Sequence, residues 1–188
     1  QSQSGAEMEL ARGLGMPYGL AVVLALLCCM AVGAINAFFI TRLKVASIIV
    51  TLGTMSLARG IAMIVTHGAQ RNAGLPHVFK KLGAFSLIGP VNTSVILMVI
   101  IVVIALVIEK KTVFGRRTYY IGANSVAAKL SGIKVDKHIS ILYLASSFLA
   151  GLVGVIMGSI HNAGISSLGA GFEFDVLVIA LLGGTSIF

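Results

Sequence analysis

Glu173 and Asp175 stand two positions apart ahead of an apolar stretch, and paired carboxylates can share general acid and base work. No third catalytic group lies near them in sequence, and no metal-ligand spacing includes them. His67, His77, His138 and His161 are dispersed over loops and helix ends, without the i, i+4 spacing of a metal pair, and read as interfacial. Gly169-Ala170-Gly171 is not followed by Gly-Lys-Ser or Gly-Lys-Thr, so it does not read as a phosphate cradle for ATP. Cys28 and Cys29 are adjacent within an apolar run and suggest neither a disulfide framework nor a zinc site, but small buried residues. The residue types with catalytic potential are thus not assembled into a reaction centre. The expectation is no enzyme activity in this chain, no cofactor and no metal.

The surrounding sequence explains why. Of 188 residues, 57% are hydrophobic and 11% charged, with a mean hydropathy of +1.02, too few charges to clothe a soluble domain of this length. A bilayer core about 30 Å thick needs about 20 apolar residues per helix. Stretches of that kind run 18–40, 45–66, 88–108 and 139–160, and a partial one runs 174–188. The fold expected is all-α, a polytopic transmembrane helical bundle forming a single membrane domain over 1–188. Gln1 stands where Met would, residues 1–15 lack a signal-peptide pattern, and Phe188 falls within an apolar stretch. Both ends therefore read as cut, with further spans expected upstream.

The formal charge of +8 would suggest nucleic acid in a soluble protein, but aromatic and basic residues do not interleave in the pattern of a nucleic-acid platform, so no nucleic-acid partner is expected. The cations fall instead into loops. On one side lie Arg42, Lys44, Lys110, Lys111, Arg116, Arg117, Lys129, Lys134 and Lys137; on the other, Arg12, Arg71, Lys80 and Lys81. The side richer in Lys and Arg is expected to be cytoplasmic, which makes 109–137 a cytoplasmic loop. Within it Asn124 suits a helix N-cap and Gly132 a left-handed stop, bracketing a short helix over 125–131. Val126, Ala127 and Leu130 fall on one face of that helix. It fits either a groove on a cytoplasmic partner or the lipid headgroups.

Among residues within the spans, Arg59 is the one formal charge in a complete span. It reads either as a solute-path residue or as a structural charge held by carbonyls or snorkelling outward. Asn36, Thr41, Thr51, Thr54 and Ser56 can line a polar path or bond neighbouring helices. Gly151, Gly154 and Gly158 predict close helix packing, with Gly154-x-x-x-Gly158 as the motif.

Thr112-Val113-Phe114-Gly115-Arg116-Arg117, Ile121-Gly122-Ala123-Asn124 and Ala127-Ala128-Lys129-Leu130-Ser131-Gly132-Ile133 together resemble one family. So do Ile49 to Ser56 with Arg59-Gly60, and the segment from Gly171 to Ser186. The chain is similar to the permease subunit of ribose-type ATP-binding-cassette sugar importers, within the branched-chain amino acid and monosaccharide permease superfamily. The resemblance implies that Asn124, Ala127, Ala128, Leu130 and Gly132 belong to a coupling helix docking on a separate ATP-binding subunit. It also implies a second permease copy, a solute-binding protein outside the cell with Glu173 as a contact, and residence in the bacterial cytoplasmic (inner) membrane. Asn36, Thr51, Thr54 and Arg59 are the candidates for the solute path. The function implied is ATP-driven import of a monosaccharide or similar small polar solute. The alternatives are a truncated non-transporting or assembly protein, a permease for a different solute class, and an ion-coupled secondary transporter. No complete span carries the carboxylate that the last would need.

Overall fold

Long apolar runs without interior proline can satisfy their backbone hydrogen bonds in lipid only as helices, and helices dominate the fold. The structure, a computed structural model, describes residues 18–66, 86–88, 91–161, 163, 164, 167 and 169–183. Seven helices occur among these: α1 (Tyr18–Thr41), α2 (Ser47–Thr66), α3 (Thr93–Lys111), α4 (Val113–Ala123), α5 (Ser125–Leu130), α6 (Val135–His161) and α7 (Phe172–Leu182). Two short strands, β1 (Ser86–Ile88) and β2 (Val91–Asn92), pair antiparallel ahead of α3. Four helices, α1, α2, α3 and α6, are long and apolar enough to cross a bilayer, and the chain is a multi-pass membrane protein with an all-α fold.

The centre of the bundle is an antiparallel pair made by α1 and α6. Thr41 meets Ser140, Gly33 meets Ser147, and Cys29 with Leu26 meets Gly151, so one helix descends as the other rises. Leu26, Cys29, Gly33, Asn36, Ala37 and Ile40 recur at i+3 and i+4 and form the inward stripe of α1. Without a hydrophobic force between helices in lipid, close approach at small residues holds such a pair. A side chain at Gly33 would overlap the Ser147 hydroxyl and come within 3.2 Å of the Tyr143 carbonyl. Gly33→Val is therefore expected to lower unfolding stability by about 1–3 kcal/mol, measured by detergent-titrated unfolding.

α2 leans on α1, whereas α3 makes its main contacts with β2 and α4. α3 starts at Thr93, later than the expected Ile88; Pro90 lacks an N–H and disfavours helix at the residue before it. α6 starts at Val135, ahead of the expected residue 139, because Asp136 and Lys137 are tolerated in a first turn that reaches past the hydrocarbon. The packing expected of Gly154 and Gly158 needs correction. Gly151 alone of the three abuts α1, while a Cβ at Gly154 or Gly158 would meet nothing within 4 Å among the described residues. Of the loop expected between the second and third spans, residues 67–87, only its last two are described, and they belong to β1; residues 67–85 lie outside the described residues, as do Arg12, Thr185 and Ser186.

Candidate functional site

The segment between α3 and α6 is built by caps. Thr112 ends α3 and starts α4: its hydroxyl accepts from the Gly115 N–H at 3.3 Å and donates to the Ile108 carbonyl at 2.5 Å. Gly115 is buried where α4 turns back on α3, and a Cβ there would collide with the Glu109 carbonyl. Across the same joint the Tyr119 hydroxyl donates to the Glu109 carboxylate. That hydrogen bond, with the carboxylate's charge, pushes the Tyr119 phenol above its ordinary pKa.

α4 is then fastened to α6. His138 hydrogen-bonds with Thr118 at 2.8 Å through Nε2, and its ring lies 4.3 Å from that of Phe114. This corrects the interfacial reading of His138, which is buried; His161 is exposed at the end of α6, and His67 and His77 fall outside the described residues. Among the described residues no group of three or more His, Cys, Asp or Glu is arranged to hold a metal.

Asn124 serves two helices. Its backbone N–H donates to the Tyr120 carbonyl and closes α4, while its side-chain oxygen accepts from the Val126 and Ala127 N–H groups, each at 3.0 Å, and opens α5. At the other end the Ile133 N–H donates to the Ala128 carbonyl and the Gly132 N–H to the Lys129 carbonyl, each at 3.1 Å. With Gly132 at φ +82°, this is a Schellman stop. Six residues make too short a helix to persist alone in water; α5 is held by both caps. Val126 (67%) and Leu130 (86%) are exposed, and Ala127 is exposed between them. Ala128 is different. It is buried at a cavity of about 370 Å³ shared with Tyr120, Ala123 and Ile133, because a turn and a half of helix cannot present every side outward. The surface that α5 offers is therefore Val126, Ala127 and Leu130, with Ala128 beneath it.

The in-span candidates divide by helix. Thr51, Thr54 and Arg59 lie on the half-buried stripe of α2 with Val50, Met55 and Ala62. The threonine hydroxyls donate back to their own helix, Thr51 to the Ser47 carbonyl at 2.9 Å and Thr54 to that of Val50 at 3.0 Å. Asn36 belongs to α1, buried on the face toward α6, and its Oδ1 accepts no hydrogen bond among the described residues. Thr41 is buried nearby, donating to the Ala37 carbonyl at 2.7 Å.

Arg59 and Glu173 form an ion pair at 4.0 Å, a partnership that sequence spacing does not disclose. The second oxygen of Glu173 accepts from the Gly171 N–H at 3.0 Å, and Gly171 sits at φ +95° as the N-cap of α7. Glu173 thus ties α7's first turn both to its own cap and to α2, an internal role beside the contact with a solute-binding protein that the resemblance implies. A second ion pair, Lys44 with Asp136 at 2.6 Å, closes the opposite end of the α1–α6 pair.

The model of the family described as "Branched-chain amino acid transport system / permease component" matches residues 6–188. The ribose import permease protein of Bacillus subtilis is 37% identical over 153 residues, which cover 81% of this chain and 47% of that protein. The autoinducer 2 import system permease protein of Photorhabdus luminescens is 31% identical over 180 residues, covering 96% and 53%. The L-arabinose transport system permease protein of Escherichia coli is 32% identical over 157 residues, covering 81% and 46%. The chain spans about half the length of the curated relatives it matches, and no solved structure matches it. On the match along nearly its whole length, the chain belongs to the family of branched-chain amino acid transport system permease components.

Proposed function

We propose that this chain forms part of the membrane-spanning permease of an ATP-driven importer for a monosaccharide or similar small polar solute. The observation that carries the reading is α5: a rigid, doubly capped turn with an exposed apolar face, fixed through α4 to a membrane-crossing helix. Such a piece suits docking on a separate cytoplasmic ATP-binding subunit, whose closure would move α4 and α6 as one body. Relatives named for ribose, arabinose and autoinducer 2 import support small polar solutes as the substrate class. Hydrolysis of ATP belongs to that separate subunit. Two permease copies would enclose the solute path in the bacterial inner membrane, and a solute-binding protein would deliver from the outer side.

Asn36 supports a path along the α1–α6 face, because a buried amide oxygen without a partner among the described residues is costly unless something polar visits it. Arg59, Thr51 and Thr54 would extend that path along α2. The test is reconstitution of the complete importer, with its ATPase and binding protein, in vesicles. Asn36→Leu is expected to cut solute uptake about tenfold or more with unfolding stability unchanged or raised. Undiminished uptake would remove Asn36 from the path, and absence of ATP-dependent uptake of any sugar in a panel would overturn the function.

A further inference from the structure

We propose that the basic cavity at the end of the α1–α6 pair is a binding site for the phosphate headgroup of an anionic phospholipid. The cavity measures about 640 Å³, and Arg42, Lys129, Lys134 and Lys137 line it. Its one acid, Asp136, is already held by Lys44 at 2.6 Å. Four further cations share the cavity with this one acid; Arg42 and Lys129 act on Asp136 from a distance, and none of the four lies within ion-pair distance of an acid among the described residues. The first turn of α6 also opens here, adding the positive end of a long helix dipole.

Position and surroundings select lipid over a free anion. The apolar run of α1 ends at Thr41 and that of α6 begins at Ile139, so the cavity stands at headgroup level. Immediately membraneward, Phe38, Phe39, Ile141 and Leu142 are exposed and offer a path for acyl chains. A cationic rim above an apolar flank complements both parts of a phospholipid, whereas inorganic phosphate uses only the first. The assignment does not depend on what α5 docks.

The test is native mass spectrometry of the protein extracted from nanodiscs of phosphatidylcholine with phosphatidylglycerol. Phosphatidylglycerol is expected to be retained in preference. Each cation in direct contact with a bound phosphate contributes about fivefold or more, so combining Lys129→Gln, Lys134→Gln and Lys137→Gln should weaken retention by at least on the order of a hundredfold. Replacing the same three by Arg should preserve it, which separates loss of charge from loss of fold. Neutralising Lys110, Lys111 and Arg116, equally exposed but outside the cavity, should cost less than about fivefold. Equal losses in the two neutralised sets would overturn the site in favour of diffuse surface attraction. Displacement of the lipid by inorganic phosphate alone would overturn the choice of ligand. No preference for phosphatidylglycerol would also overturn it, leaving the cations to an acidic protein partner.

Discussion

Replacing Gly132 with leucine is expected to lower solute-stimulated ATP hydrolysis by the assembled importer about tenfold, whereas Gly132→Asn should retain most of it. Gly132 holds φ +82°, and a Cβ there would meet nothing within 4 Å among the described residues. Crowding is thus not the issue; the backbone conformation is. A β-carbon in the left-handed region costs about 1–2 kcal/mol, and asparagine tolerates it better than leucine. Relaxing Gly132 would break the Gly132-to-Lys129 and Ile133-to-Ala128 bonds that end α5. The exposed face of Val126, Ala127 and Leu130 would then lose its fixed direction. ATPase assays on reconstituted importer give the readout, and full stimulation in the leucine variant would refute the docking role.

The second large effect is expected at the opposite end. Glu173→Gln should lower unfolding stability by about 2 kcal/mol, and removing Arg59 as well, as Arg59→Leu with Glu173→Gln, should recover part of that loss. Arg59 is twelve residues into α2, about 18 Å along its axis, where a charge without a counter-ion is costly. Once Glu173 is neutral, Arg59 keeps its charge and loses its partner, while the Gly171 N–H loses a charged acceptor. Charge reversal at Glu173 separates this from a role in docking a solute-binding protein. If both hold, affinity for that protein falls together with stability; unchanged affinity would leave Glu173 a purely internal tie.

What could be read from sequence followed the range of the interactions. Asn124 and Gly132 were readable because caps are local: a short polar side chain and a residue free to take positive φ act within three or four positions of themselves. The apolar helices were readable because lipid imposes one demand along their whole length. α4 was not. Its sequence, Val113 to Ala123, contains two glycines, two arginines and two tyrosines and is too short and too polar to read as a span, and its helicity rests on Thr112 and on packing against His138. The Arg59–Glu173 pair was hidden for the same reason, since the partners are far apart in the chain and meet only once it is folded. Gly154-x-x-x-Gly158 shows the reverse error: the motif is true of many helix pairs, but among the described residues nothing packs within 4 Å of a Cβ at either glycine.

The α1–α6 pairing also sets a timetable for biogenesis. Thr41 and Ser140 are 99 residues apart, and synthesis at about 5–20 residues per second places roughly 5–20 s between the appearance of the two. During that interval α1 stands in the bilayer with its partner not yet made, while α2 and α3 enter beside it. Thr41 can wait cheaply, because its hydroxyl already bonds the Ala37 carbonyl in the same helix. Asn36 has no such provision. The nascent chain thus carries a polar stripe on α1 that, among the described helices, α6 covers when it arrives.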